Sequence, residues 1–160
     1  MATDSFFVQL ALNAWQMQID RANALIAQIT DDQMMEQISP GRNRGIYLLG
    51  HLTAVHDGMF EILGLGERHY PHLNAVFLSS PDKAGLDMPS LHSLREYWSE
   101  TNTGLASHFR KMTPDDWFTR HNNISKQDFE NEPHRNKLSV LISRTNHLAY
   151  HMGQLILLRN

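Results

Sequence analysis

Asn146-His147-Leu148-Ala149-Tyr150-His151-Met152-Gly153, near the end of the chain, reads like Gly50-His51-Leu52-Thr53-Ala54-Val55-His56-Asp57-Gly58 in its first half. Both stretches lie in runs where apolar residues recur at three- and four-residue steps, the period of an amphipathic helix. Both are reached by the same route. A long helix comes first, then a short turn opened by a threonine and acidic residues (Thr30-Asp31-Asp32; Thr113-Pro114-Asp115-Asp116), then the histidine-bearing helix. A half-repeat of this form predicts four principal helices.

The histidine spacing differs between the halves. Residues four apart on a helix are separated by one turn and only ~40°, so His147 and His151 leave the same side. Residues five apart are ~140° apart, so His51 and His56 cannot share one metal from a regular helix. An i, i+4 histidine pair is the arrangement by which one helix gives a divalent ion two nitrogen ligands. His51, at the edge of the apolar face of the partner helix, is the natural third. Three neutral imidazoles plus solvent form an open site for Zn²⁺ or a similar ion, where a bound water or thiol becomes acidic near neutral pH. The plainer alternative is that each histidine hydrogen-bonds a backbone or carboxylate partner. His56, His69, His72, His92, His108, His121 and His134 lack useful mutual spacing and are expected on the surface or in caps. Arg144 lies along the histidine row and Tyr47 one turn before His51. Each can meet a ligand at the metal, although surface pairing or packing is the more frequent role.

The remaining elements follow from caps and breakers. The first helix is expected over 5–29, capped by Asp4 or Ser5, with one stripe of Phe7, Leu10, Ala14, Met17, Arg21 and Ala24. A second stripe holds Trp15, Ile19, Ala22 and Ile26, so two faces are expected to be covered. The second helix is expected over 43–63, with Asp57 and Glu61 facing away from the core. Gly64 to Pro89 loses periodicity and reads as a long connection or partly ordered strap. The third helix is expected over 90–112, an irregular stretch over 121–137, and the fourth helix over 137–159. Trp15, Trp98 and Trp117 read as core.

The 160 residues suit one domain over 1–160, with 14 Lys+Arg against 17 Asp+Glu and no cysteine. Charge this balanced gives no nucleic-acid footprint. The missing cysteines exclude disulfides, thiolate zinc sites and a cysteine nucleophile, leaving imidazole and carboxylate as metal ligands. No basic region precedes the first apolar residues and no apolar run approaches the roughly 18–20 residues of a membrane span, so a soluble, cytoplasmic protein is expected.

Nearly the whole chain resembles the DinB-like (DinB/YfiT-like) superfamily. The resemblance is carried by Asn13-Ala14-Trp15, Ile29-Thr30-Asp31-Asp32-Gln33-Met34, Leu49-Gly50-His51-Leu52, Met112-Thr113-Pro114-Asp115-Asp116-Trp117 and His147-x-x-x-His151-x-Gly153-Gln154-Leu155. It implies an all-α four-helix bundle with one long crossover connection and short extra helical turns, often dimeric. It also implies a divalent metal, commonly zinc or nickel, on one histidine of the second helix and two of the fourth. By position these are His51, His147 and His151. Some relatives are S-transferases or isomerases dependent on bacillithiol, mycothiol or a similar thiol, and many have no known reaction. The resemblance therefore implies a metal-dependent S-transferase using a low-molecular-weight thiol and a small-molecule substrate, as a homodimer. A metal-dependent hydrolase and a non-catalytic, stress-associated binding protein are the alternatives.

Overall fold

Thr30 and Thr113 each close a capping box, with Gln33 and Asp116 respectively, and each starts a short helix. These are α2 (Asp31–Met35) and α6 (Pro114–Trp117), which lie between the four principal helices α1 (Ala2–Gln28), α3 (Gly45–Ile62), α5 (Leu91–Phe109) and α8 (Lys137–Leu155). Two further short helices, α4 (Leu73–Phe77) and α7 (Lys126–Asn131), sit in the connections, and a 3-10 turn (Ile156–Leu158) follows α8. The structure, a computed structural model, describes residues 2–159. It is all-helical, with no named strand among the described residues.

Side-chain pairs fix the helix directions. Trp15 meets Phe109 and Asn23 accepts the Trp98 indole N–H, so α1 and α5 are antiparallel. His56 pairs with Asn102 and Phe60 lies against Gly104, so α3 and α5 run parallel. His51 meets His147 while Ile62 and Val140 line one cleft, so α3 and α8 are antiparallel. Consecutive parallel helices need a crossover, and residues 63–90 supply it.

That crossover is a strap stitched down α3. The buried Asp57 carboxylate accepts the backbone N–H groups of His69 at 2.8 Å and Tyr70 at 3.0 Å. Further along, the Phe77 carbonyl meets His51 Nδ1 at 2.9 Å, and the Tyr47 hydroxyl donates to the Ser80 carbonyl at 2.6 Å. At the far end Arg44 forks onto Asp82 through Nε and Nη2. The carboxylate of Asp82 is held below its ordinary pKa by those Arg44 bonds, against the opposing effect of burial.

Several expectations are corrected. The first helix starts before the predicted Asp4 or Ser5 cap. Of its two stripes only Trp15, Ile19, Ala22 and Ile26 are buried, whereas Phe7, Leu10 and Met17 are exposed, because one row suffices to face the bundle. Asp57, expected to face away, is fully buried because the strap covers that side of α3; Glu61 stays exposed. His56, expected at the surface, is also fully buried. Ser125 caps α7 inside the stretch read as irregular, and α8 ends at Leu155, with the 3-10 turn completing the expected span. Trp15, Trp98 and Trp117 are core, as expected.

Candidate metal centre

α8 is regular through 147–151, so the two imidazoles sit one turn apart, edge to face at 79°, and their Nε2 atoms lie 3.1 Å from each other. His51 comes across from α3 and brings its Nε2 to 3.2 Å from His147 Nε2. The ligand-capable nitrogens of the three rings lie within 4.8 Å of one another. Two nitrogens on one tetrahedral zinc, with Zn–N near 2.05 Å, stand about 3.3 Å apart. The observed spacings match that value.

The other ring nitrogens explain the orientation. His51 Nδ1 faces the Phe77 carbonyl, the last of α4, which has no partner within its own short helix. A carbonyl only accepts, so His51 Nδ1 carries hydrogen and, in the neutral ring, Nε2 presents a lone pair. His151 Nδ1 lies 2.7 Å from Gln154 Oε1 and follows the same logic. His147 is then caught between two lone pairs. It has one ring hydrogen to give, and with Nε2–H it can serve only one neighbour while its buried Nδ1, which has no partner, stays unsatisfied. Neutral rings alone leave the three Nε2 atoms frustrated; a cation at their convergence satisfies all three lone pairs, with the His147 ring hydrogen then on Nδ1.

Protonation is not the easier remedy. Burial, then the neighbouring His151, His51 and Arg144, push His147 down to about 4, and burial pushes His151 down as well. Near neutral pH these two imidazoles are therefore free of protons that compete with a metal. Tyr47 plays a packing role, its ring nearly parallel to that of His51 at 11° and 6.5 Å between centroids.

His56 is close to the centre but not part of it. Its Nδ1 faces Asn102 Oδ1 at 2.8 Å, and its ring lies between Trp15 and Trp98. Burial drives its pKa down to about 3. Both His56 and His147 thus bind protons less readily folded than unfolded, where histidine titrates near 6.5. Their contribution to stability is complete above pH ~6.5 and is lost as pH falls toward 4 and 3. For fully buried His56 the loss over that window is on the order of 5 kcal/mol. Urea denaturation of zinc-free protein at pH 7, 5.5 and 4 is expected to show this fall, and His56→Gln to flatten it. Equal slopes in both proteins would remove His56 as the cause.

Sequence spacing selected the three histidines that the fold brings together and excluded His56. It missed the Phe77 carbonyl, since a backbone acceptor delivered by a strap leaves no side-chain signature. Gln154, three residues beyond His151 on the same helix, was visible as an i, i+3 partner but had no role assigned.

No functionally curated protein matches the chain. The family model described as DinB superfamily matches residues 11–155, a span that takes in both histidine helices, the strap and the two threonine-capped turns. The chain belongs to the DinB superfamily.

Proposed function

We propose that His51, His147 and His151 hold one divalent ion, zinc or nickel, through their Nε2 atoms, and that the protein is an S-transferase taking a low-molecular-weight thiol. The observation that carries the metal reading is the convergence of three Nε2 atoms that ring hydrogens alone cannot satisfy. Among the described residues the cluster has three such ligands, the number found in open catalytic zinc sites. When bound, the ion supplies Lewis acidity, bringing the pKa of a coordinated thiol or water toward neutral. The chain's own part is to fix the ligands: Phe77 orients His51, Gln154 orients His151, and the depressed histidines stay unprotonated.

The absence of cysteine fits a thiol supplied from outside. In the proposed reaction sulfur bonds to an electrophilic carbon, the leaving group departs with its electron pair, and the thiol proton passes to solvent. Untagged protein is expected to carry one metal per chain by elemental analysis. With the metal restored, mass spectrometry of a generic electrophile and a panel of small thiols is expected to show thioether formed by wild type but not by His51→Ala. Equal rates sink the transferase reading, and hydrolysed electrophile in place of thioether moves the assignment to the hydrolase. A fourth protein ligand in the metal-loaded protein supports the non-catalytic reading instead. The exposed apolar residues of α1, with Ile156 and Leu157 after α8, support a homodimer, which sedimentation of untagged protein at several concentrations tests directly.

A further inference from the structure

Four arginines are neither fully exposed nor fully buried, and three of them are paired. Arg44 is bonded to Asp82, Arg68 to Glu61, and Arg95 to Asp31 and the carbonyls of Ile26 and Ile29. Arg144 is the exception: among the described residues it has no hydrogen bond or ion pair, and its Nε is shut away from solvent without a partner. Burial lowers its guanidinium pKa, the sign that its charge is held there at a cost. A partly desolvated cation without a counter-charge is unfavourable, and its place is explained when an anion completes it.

Space for that anion is present. Arg144 lines a cleft of about 230 Å³ between the end of α3 and the first turns of α8. Arg135, His121, Asn123 and Ser143 also line it, and no carboxylate does. Arg135 reaches Glu132, but that pair is half exposed and so weak. His121 is depressed first by burial and then by Arg135 and Arg120, as befits a site of positive potential. A cleft of this size suits one anionic group rather than a whole cofactor. Arg144 precedes His147 by three residues, a rise of ~4.5 Å and a turn of ~60° short of one full revolution, so the two share one side of α8.

We propose that this cleft binds the oxyanion end, carboxylate or phosphate, of a small-molecule substrate whose reacting end lies at the three-histidine centre. Two guanidinium groups with amide and hydroxyl donors match the planar or tetrahedral oxygens of such a group. The word substrate rests on the metal-dependent reading above, whereas the anion site itself requires no metal.

The test is calorimetric titration of inorganic phosphate, and separately of succinate, into untagged protein in low-salt buffer, both zinc-free and zinc-loaded. Wild type is expected to bind at least one of the two without zinc. The tighter of them identifies the group as phosphate or carboxylate. Arg144→Gln is expected to weaken binding at least about tenfold, and Arg144→Lys to recover part of the loss. Because Arg144→Gln removes an unpartnered charge, its Tm is expected to hold or rise, which separates lost binding from lost fold. Should its Tm fall, Arg135→Gln at the cleft must weaken the same anion. Absence of binding by both anions, or unchanged binding in the glutamine variant with its fold intact, overturns the proposal. Zinc binding without anion binding rejects the cleft and leaves the centre standing; anion binding without zinc binding does the reverse.

Discussion

His147→Ala is expected to lower zinc affinity by 10²–10³-fold while leaving the fold intact. Structural zinc sites of four ligands bind with about 10–16 kcal/mol, so one nitrogen ligand accounts for roughly 3–4 kcal/mol. His147 stands between the other two, 3.2 Å from His51 and 3.1 Å from His151, so its loss also removes the link between the helices at the site. Zinc at a thousandfold excess over its Kd adds about 4 kcal/mol to wild type, which for a chain of this size is a rise in Tm of about 8–16 °C. The alanine variant should show little of that rise. His56→Ala supplies the contrast. It empties a fully buried site between two tryptophans and so lowers stability by several kcal/mol, but it should retain zinc. Full zinc affinity in His147→Ala rules out the ligand assignment, even if the protein binds metal elsewhere.

Gly50→Ala is expected to damage fold and site together. A Cβ at Gly50 stands 2.3 Å from two ring carbons of Phe77, whose side chain is fully buried. The ring must move within a packed interior, at a cost of about 1–3 kcal/mol or more. Phe77 also supplies the carbonyl that orients His51, so displacing α4 loosens that proposed ligand. Loss of such a partner typically lowers metal affinity by about 10–100-fold. Gly45→Ala is the control, since its Cβ meets Leu158 and Met34 rather than the strap. It should lower stability but spare zinc affinity. Equal zinc affinity in the two glycine variants, despite lowered stability in both, removes Phe77 from the metal centre. Urea denaturation and competitive zinc titration measure both quantities.

The half-repeat was legible because it uses local signals. Thr30 and Thr113 close their caps with side chains three residues away, and His147 and His151 meet through one turn of one helix. His51 was legible for a related reason, since its place on the apolar edge of α3 turns it toward the neighbouring helix. Asp57 was misread because a helical wheel records which way a side chain points but not what covers it. The strap brings the N–H groups of His69 and Tyr70 onto its carboxylate, turning a surface position into a fully buried one. His56 was misread in the same way, its ring enclosed by tryptophans of α1 and α5. On α1 the error ran in the opposite direction: two apolar rows were visible, and only packing chose Trp15 and Ile19 over Leu10 and Met17.

By itself, then, the sequence determined the four principal helices, the two threonine caps and the three histidines, because helical period and i, i+4 spacing act over a few residues and depend on nothing distant. Tertiary structure decided what surrounds the histidines. It laid residues 63–90 along α3 so that the Phe77 carbonyl turns His51, and it left Arg144 without a counter-charge beside a cleft. These features depend on segments tens of residues apart meeting in space. Hydrogen-bond acceptors in the backbone are common to every residue, so only the fold decides which of them reaches a ligand.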